Sequence, residues 1–282
     1  MSKRNYDKLD IIAFGEHLLR TEDLDPIYSA LVRMEMSAQK RGLWLLSYWI
    51  FYHAGVASYL ADADTTEEFW LRYRVAADNH LPTPAGDRWP RGHERRHMRG
   101  RNAEKTFDHL FRRYRNAPED FVGAVQASTC GEVMKKVQTH VGFGPWIGFK
   151  VADMLERVYG YEVSFDRAEV FIFKDPKKAA LLFWKEQTKQ PENAKPRDEQ
   201  QVLKQVVDYL IGEFAVNRRW MAPPTRDRLV GIQEIETILC KWKSHLNGHY
   251  PLGNDITEIR AGLQPWLEHS ETAQQFLEAM PG

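Results

Sequence analysis

The sequence predicts an all-α fold, because apolar residues recur along it with helical spacing. Two stripes at i, i+3, i+4 and i+7 run from Val202 to Phe214 and from Ile232 to Trp242. Asp25 followed by a proline is typical of a helix start, with the aspartate as N-cap and proline at the first helical position. No convincing run of alternating strand residues accompanies these stripes. With 43% hydrophobic and 28% charged residues, the composition is that of a globular protein.

Helices are expected along the whole chain, with two irregular stretches between them. Their ranges are about 26–36, 43–60, 65–77, 103–116, 119–126, 130–139, 146–159, 177–187, 202–214, 232–242, 255–267 and 270–279. Residues 43–60 carry no charge, but their many polar side chains favour a helix buried on all sides over a membrane span. The Pro-, Gly- and Arg-rich residues 80–101 predict an irregular, exposed connection, and 188–198 a surface loop. We expect one domain over residues 1–282; a division into two helical lobes stays open.

Charge and cysteine content limit the classes of function. The 39 basic and 39 acidic residues cancel, so a DNA-binding role requires basic side chains gathered on one face. Cys130 and Cys240 are too few for a disulfide scaffold or an iron–sulfur cluster, and they suit a reducing cytosol. The polar residues 1–10 predict no signal peptide, so a cytoplasmic location is expected. The nine Trp residues serve either a packed core or the stacking of bases.

The most informative stretch is 130–159, which predicts two helices joined by a tight turn. Gly142 and Gly144 let the backbone approach a partner closely, and Phe143 between them can plug the interface of the two helices. A proline and Trp146 begin the second helix, whose free N–H groups form a phosphate-binding site. We therefore expect these four residues to contact DNA.

This turn resembles the helix-hairpin-helix motif of the DNA glycosylase superfamily. The resemblance implies that the hairpin holds the DNA backbone while a downstream aspartate lies beside a base flipped out of the duplex. Asp166, 22 residues after Gly144, is that candidate catalytic aspartate. The Gly/Pro loop that usually precedes it is reduced to Gly160. Lyase-type members carry a Schiff-base lysine where this chain has Trp146. Lys150, one helical turn further on, is either a catalytic or phosphate-contacting group or a solvated lysine.

Beyond the hairpin, the chain resembles the phage amino acid:DNA transferases, also called α-glutamyl/putrescinyl-thymine pyrophosphorylases. The resemblance rests on 23–28, 48–55, the arginine segment, the hairpin and the stretch near Cys240. It implies hypermodification of thymine, in which a free amino acid or amine displaces pyrophosphate from 5-(pyrophosphoryloxymethyl)uracil in double-stranded DNA. Glycine is the first expectation for the amine, although no residue dictates it.

The arginine segment suits such a leaving group. Residues 88–101 contain one acid and six arginines, namely Arg88, Arg91, Arg95, Arg96, Arg99 and Arg101. Guanidinium forks match phosphate oxygens and stabilise the charge that develops as pyrophosphate departs. The alternative is a basic loop that touches only the DNA backbone. Whether Mg²⁺ assists stays open, and no cofactor is certain.

Several further residues are candidates for contact with the substrate. The resemblance implies this role for Lys241, Lys243, Tyr250 and Asp255. Tyr52 and His53 either line a pocket or are polar groups of the core. Cys240 is either a nucleophile toward the pyrimidine ring or a small buried side chain. Its spacing to two downstream histidines hints at zinc, but no fourth ligand is evident and no metal site is predicted.

Asp166 itself has more than one possible role. It can accept a proton from the incoming amine or orient it, or it can steady positive charge on the sugar as in a glycosylase. The structural alternative is an N-cap for a helix that starts at Arg167.

Two other functions compete with base transfer. They are base-excision glycosylase and non-catalytic helix-hairpin-helix adaptor. The missing lysine argues against a lyase glycosylase, the arginines favour a phosphorylated leaving group, and Asp166 argues against an adaptor. The expected partners are DNA and a free amine, with no membrane.

Overall fold

The structure, a computed structural model, describes residues 4–78, 80–191 and 193–282. Within these ranges there is no β-strand, only two isolated bridges, and the all-α prediction is confirmed. The predicted surface loop 188–198 is irregular and mostly exposed where it is described; Glu192 lies outside the described residues. No helix in the described ranges is both long and apolar enough to cross a bilayer.

Fourteen α-helices follow one another along the described residues. They are α1 (Ile11–Thr21), α2 (Pro26–Arg33), α3 (Ala38–Phe51), α4 (Ala54–Ala61), α5 (Thr66–Ala77), α6 (Arg101–Tyr114), α7 (Asp120–Val125), α8 (Cys130–Gln138), α9 (Pro145–Arg157), α10 (Lys174–Thr188), α11 (Glu199–Ile211), α12 (Ile232–Leu246), α13 (Asn254–Leu263) and α14 (Glu271–Ala279). Short 3₁₀ turns cover His93–Arg95, Arg167–Phe171 and Gln264–Trp266, and a π-helical segment, Gly212–Asn217, follows α11. The sequence patterns missed α1.

The chain divides into two compact units. The first unit contains the chain up to Ser29, Ser164–Ile256 and Pro281–Gly282; the second contains Ala30–Val163 and Thr257–Met280. In the first unit, α1, α10, α11 and α12 surround an apolar core that includes Phe14 and Trp242. Burial of such large side chains supplies most of the drive for folding.

In the second unit, α3 and α4 form the centre. Trp44 on α3 stacks on Phe276 of α14, with ring centroids 5.1 Å apart, and its indole N–H donates to Ser58 on α4. Gly55 on α4 allows close approach of Trp266, because a Cβ there would lie 2.1 Å from the indole ring. This core holds the helix ends that carry the candidate site.

The predicted continuous helix over 43–60 is wrong, because the chain breaks between α3 and α4. Tyr52 adopts a left-handed conformation with φ of 50°, and the His53 side chain caps α4. The carbonyl of Ile50 accepts a hydrogen bond from Arg95, and that of Phe51 accepts one from the backbone of Gly92. These carbonyls therefore serve tertiary contacts instead of a continued helix. Burial of the segment is confirmed for most of its residues.

The prediction that residues 80–101 form an exposed connection is correct in its irregularity but wrong for several side chains. Trp89, Arg95 and Met98 are almost fully buried. The indole N–H of Trp89 donates to the carbonyl of Pro82, and its ring lies 5.5 Å from that of Trp266. The segment is thus packed at several points against other parts of the second unit, to which it belongs, because its aromatic and apolar residues bury surface.

Candidate functional site

The hairpin between α8 and α9 has the local geometry that the sequence predicts. Gly142 adopts a φ of 86°, which favours glycine, and Gly144 occupies the N-cap position of α9. No side chain caps α9, so its first N–H groups are available to an anion. Phe143 is 4% exposed and packs against Phe121 on α7; its role as a plug between α8 and α9 remains a prediction. Contact of these residues with DNA remains a prediction.

The turn of the hairpin is packed against α6. A Cβ on Gly142 would lie only 2.2 Å from the hydroxyl oxygen of Thr106. The ring of His140 shares a hydrogen bond of 2.7 Å with the hydroxyl of Tyr114 and lies 5.6 Å from the ring of His109. Since these contacts leave no room for a larger residue at position 142, the hairpin has a fixed position beside α6.

Arg95 joins the arginine segment to the hairpin and to the end of α3. Its Nε donates to the carbonyl of Ile50 (3.0 Å), and its Nη1 donates to the carbonyl of Gly142 (2.8 Å). The guanidinium lies over the ring of Phe143, 5.5 Å from the centroid. The side chain is 2% exposed, and its Nη2 has no hydrogen-bond partner among the described residues. Arg95 therefore positions the hairpin.

Arg91 is also committed to the backbone. Its three nitrogens donate to the carbonyls of Met98 (3.0 Å), Pro90 (2.9 Å) and Ala76, and its guanidinium lies over the ring of Phe51. Burial lowers the pKa of Arg91, and neighbouring guanidinium groups lower it further. No carboxylate of the described residues lies within 4.0 Å of the nitrogens of Arg91 or Arg95. Their positive charge is therefore not neutralised locally.

The other four arginines of the segment are more accessible. Arg88, Arg96 and Arg101 are exposed, and Arg99 is partly buried. Arg99 uses one N–H to bind the carbonyl of Trp89 (3.0 Å), while burial and nearby Arg88 lower its pKa. Arg88 and Arg99 thus lie close enough to repel each other electrostatically. An anion between them would remove that repulsion.

Tyr52, His53 and Trp146 are brought together with the arginine segment in the second unit. The ring of Trp146, at the start of α9, meets the ring of Tyr52 edge to face at 4.8 Å. Gly92 packs directly on Tyr52, since a Cβ there would lie 2.4 Å from its carbonyl oxygen. Both rings keep part of their surface exposed. A non-glycine residue in the left-handed region is strained, and such strain is common at functional sites.

His53 is neutral at physiological pH. Burial lowers its pKa to about 4, and the charge of Arg91 contributes. Its Nδ1 accepts a hydrogen bond from the backbone of Val56 (3.3 Å), so the proton of the neutral ring is on Nε2. His53 therefore offers a hydrogen-bond donor rather than a base at the break between α3 and α4.

Lys150 is not the solvated lysine that was one alternative, because it is 9% exposed. Its Nζ lies 3.8 Å from Oδ2 of Asp153, and Oδ1 of Asp153 lies 3.6 Å from Arg157. Asp153 is fully buried. Lys150, Asp153 and Arg157 thus form a buried cluster of three charges on one face of α9, in which the carboxylate of Asp153 lies between two cations. A catalytic role of Lys150 stays a prediction.

In the first unit, Lys241, Tyr250 and Asp255 come together around Asp23. The ammonium of Lys241 donates to Asp255 (2.7 Å) and to the carbonyls of Asp23 (2.8 Å) and Leu24, which uses its three N–H groups. The hydroxyl of Tyr250 donates to Asp23 Oδ2 (3.0 Å). These bonds fasten the loop before α2 to α12, a structural role. Contact with substrate remains a prediction for these residues.

Electrostatics at this cluster follow from burial and from an excess of acids. Burial works to lower the pKa of Lys241, but Asp255, Asp25 and Asp23 together raise it above its usual value. Burial raises the pKa of Asp23, against the effect of Lys241. Burial also raises the pKa of Tyr250, and the neighbouring Asp255 adds to this. The lysine is therefore charged and the tyrosine neutral at physiological pH.

Asp166 fills the structural role considered for it. Its Oδ1 accepts from the backbone of Ala168 (2.8 Å), and Glu169 accepts from the backbone N–H of Asp166 (2.8 Å). This capping box starts the 3₁₀ turn at Arg167. The carboxylate is exposed in the structure, so the described residues do not desolvate it. Its catalytic role stays a prediction.

The stretch around Cys240 shows no metal-binding geometry. Cys240 is partly buried, and Lys243 pairs with Asp175. Both ring nitrogens of His245 are used, by the backbone N–H of Leu9 and the carbonyl of Tyr250. Across the described residues, no three His, Cys, Asp or Glu side chains are grouped to hold a metal ion. The helix α12 ends at Leu246, directly before Asn247 and Gly248.

Comparison with known proteins decides the family. The family model described as amino acid:DNA transferase matches residues 19–250. A glycinyltransferase of Pseudomonas phage PaMx11 is 50% identical over 290 residues, which cover 99% of this chain and 98% of the relative. A putrescinyltransferase of Delftia phage PhiW-14 is 28% identical over 271 residues, which cover 95% of this chain and 82% of the relative.

The chain belongs to the amino acid:DNA transferase family. The predictions of an enzyme, of a transferase and of DNA and an amino acid or amine as its substrates are thereby confirmed. The family model spans both units of the transferase. Membership in the helix-hairpin-helix superfamily, by contrast, remains a prediction from the hairpin.

Sequence reasoning missed three charged residues of the transferase as site candidates, Asp23, Asp153 and Arg157. All three are nearly or fully buried. Asp153 stands between Val151-Ala152 and Met154-Leu155 of α9, and an acid within this apolar run is the signal that was available. Asp23 had a weaker signal, since it stands in a run of polar residues before α2.

Proposed function

We propose that this transferase attaches glycine to a pyrophosphorylated thymine derivative, 5-(pyrophosphoryloxymethyl)uracil, within double-stranded DNA. The observation that carries this proposal is the meeting, in the second unit, of the hairpin, the aromatic pair Tyr52–Trp146 and the arginine segment. The hairpin supplies N–H groups for a DNA phosphate, the aromatic rings supply a stacking surface for a base, and the arginines supply charge for a phosphorylated leaving group. The proposed setting is the cytoplasm of a phage-infected cell.

The reaction is a displacement at the exocyclic methylene carbon of the base. The amine nitrogen forms a bond to this carbon while the bond from carbon to the pyrophosphate oxygen breaks. Pyrophosphate leaves with the electron pair of the broken bond, and the ammonium proton passes to a general base, the role that the sequence predicts for Asp166. Cations close to the leaving oxygen stabilise the charge that develops there.

Among the six arginines, we propose Arg88 and Arg99 for the contact with pyrophosphate. Arg88 is exposed, and Arg99 keeps most of its N–H groups available because only one binds the backbone. Arg91 and Arg95 add to the positive potential of the segment, but they donate their hydrogen bonds to main-chain carbonyls. The proposal thus separates residues that touch the leaving group from residues that hold the segment.

Glycine is proposed as the amine because the relative that is 50% identical over nearly the whole chain carries the name glycinyltransferase. The relative at 28% identity is named for putrescine, so the transferred amine differs within the family. Glycine carries a carboxylate that putrescine lacks. The choice between them is therefore testable with two substrates that differ in charge, since glycine is a neutral zwitterion and putrescine is a dication.

Release of pyrophosphate tests the proposal. Duplex DNA that contains 5-(pyrophosphoryloxymethyl)uracil is incubated with the protein and with glycine, putrescine or no amine. We expect one pyrophosphate per modified base with glycine, and little release with putrescine or without amine. Release that is equal in all three reactions would mean that water, and not an amine, displaces the pyrophosphate, so that the protein would be a hydrolase of the modified base. Alkali-labile abasic sites without release of pyrophosphate would make it a glycosylase. If neither pyrophosphate nor abasic sites form, the protein would be a non-catalytic adaptor.

A further inference from the structure

Positive charge in this neutral chain is concentrated in one continuous segment. Residues 88–115 contain ten Lys or Arg and three Asp or Glu, whereas the whole chain contains 39 of each class. The segment includes all of α6 as well as the arginines proposed for the leaving group. The second half of this charge, on α6, has no role in the chemistry described so far.

The basic side chains of α6 and the residue after it are exposed and lack acidic partners. They are Arg101, Lys105, Arg112, Arg113 and Arg115. No carboxylate of the described residues lies within 4.0 Å of any of them. Asp108 stands at the favourable i, i+4 spacing for an ion pair with Arg112, but Arg112 donates to its backbone carbonyl instead. Elsewhere on the surface, Lys177 pairs with Glu199 at 2.6 Å.

The electrostatics of the helix itself do not explain this pattern. Cations near the C-terminus of a helix are stabilised by its dipole, which accounts for Arg112 and Arg113. Arg101 is the first residue of α6, where the dipole disfavours a cation, and Lys105 repels it from one turn away. Glu104 also stands in the first turn of α6, but it forms no ion pair with either cation. Unpaired cations at the start of a helix are expected where a polyanion binds.

The position of α6 points to the same ligand as the hairpin. Thr106 and His109 on α6 contact Gly142 and His140 of the hairpin turn. Burial lowers the pKa of His140, and the charge of nearby Arg113 lowers it further. A duplex bound at the hairpin therefore passes beside α6. Residues 101, 105 and 112 share one face of the helix and span about 17 Å, roughly five base-pair steps.

We infer that the exposed face of α6 is a second DNA-binding surface that contacts backbone phosphates of the duplex next to the hairpin. The inference rests on the proposed function only in taking DNA as the substrate. Contacts of lysine and arginine with phosphates carry no sequence information but position the protein on the duplex. The surface is thus expected to set affinity and its dependence on salt, and not the rate of the chemical step.

The test is the salt dependence of binding to an unmodified duplex, compared between two double variants. Lys105→Gln with Arg112→Gln removes two charges from α6. Lys178→Gln with Lys204→Gln removes two exposed charges from α10 and α11 and serves as the matched control. Loss of two phosphate contacts lowers the slope of log affinity against log salt by about 1.8. We expect this change for the α6 variant alone, with kcat at saturating DNA unchanged.

Equal slopes and affinities for wild type and a folded α6 variant would overturn the inference. Thermal melting checks the fold. If the double variant melts early, Lys105→Arg with Arg112→Lys keeps the charge and is expected to bind with the wild-type slope, while Lys105→Gln alone lowers it by about 0.9. If glycine is transferred normally but the α6 variant binds DNA like the wild type, this inference is wrong and the proposed function stands. If the α6 variant changes the salt dependence of binding but no glycine is transferred, the inference stands and the proposed function is wrong.

Discussion

At the scale of single residues, arginines that look alike in the sequence do different work. Arg95 is buried and Arg91 partly buried, and both bind main-chain carbonyls, whereas Arg99 has most of its N–H groups unused. A guanidinium is needed in both cases because it donates along several directions at once. Substitution by lysine keeps the charge but removes this geometry, so it separates the two roles.

Arg95→Lys is expected to reduce stability, because a single ammonium nitrogen cannot occupy the positions of both Nε and Nη1, from which the guanidinium donates to Ile50 and Gly142. A buried carbonyl left without a donor costs about 1–3 kcal/mol. Arg99→Lys should leave the melting temperature unchanged but reduce turnover, because the fork at the leaving group is lost. Thermal melting and pyrophosphate release measure the two effects. An Arg99→Lys variant with normal turnover would remove this residue from the leaving-group site.

Asp166→Asn separates the capping role of this residue from a catalytic one. Asparagine is as good an N-cap as aspartate, so the turn at Arg167 should be kept. It cannot accept a proton, and we expect turnover to fall by about 10²-fold or more. DNA affinity, measured on unmodified duplex, should stay the same. Near-normal turnover would leave Asp166 as a helix cap only.

At the scale of elements, the hairpin and the break between α3 and α4 are held by the same side chain. Arg95 binds a carbonyl in each, so the phosphate-binding turn and the Tyr52–Trp146 pair have a fixed separation. The hairpin itself was predictable, because Gly142, Gly144 and a proline specify a tight turn locally.

Alanine at each hairpin glycine distinguishes structure from binding. At Gly142 a Cβ meets Thr106 and φ is positive, so Gly142→Ala should lower stability by about 1–3 kcal/mol. At Gly144 no atom lies within 4 Å of a Cβ. Gly144→Ala should therefore melt normally and weaken DNA binding, because the methyl group occupies the space of the phosphate. Unchanged DNA affinity of Gly144→Ala would exclude the turn from the interface.

Features that depend on long-range contacts were not predictable from the sequence. The uncharged run 43–60 has the pattern of one buried helix, and nothing local reveals that Gly92 and Arg95 bind the carbonyls at its middle. The basic segment likewise has the composition of a solvated loop, although Arg95 is 2% exposed. The sequence could name Lys241 and Asp255 together as candidates for substrate contact, but only the structure shows that their bonds hold the loop before α2.

At the scale of the whole molecule, six of the ten histidines share one trend in their pKa. Burial is the main cause that lowers the pKa of His17, His53, His97, His109, His140 and His245. The unfolded chain therefore binds more protons than the folded protein between the ordinary histidine pKa near 6.5 and the lowered values. Stability rises with pH in this window and is lost as the pH falls through it.

The melting temperature should accordingly decrease between pH 6.5 and about 4, the value for His53. Each such histidine contributes at most about 1.4 kcal/mol per pH unit. His53→Asn keeps an acceptor for the cap of α4 but does not titrate, so its decrease should be shallower than that of wild type. A melting temperature that is constant across this range would contradict the burial of these histidines as neutral rings.

The identity of the modified nucleoside tests transfer to DNA most directly. Duplex DNA with 5-(pyrophosphoryloxymethyl)uracil is treated with the protein and ¹⁵N-glycine, digested to nucleosides and weighed by mass spectrometry. Transfer to the methylene carbon predicts a deoxyribonucleoside that contains the intact glycine and the label, with its glycosidic bond unbroken. A released free base with abasic sites and no labelled nucleoside would contradict it.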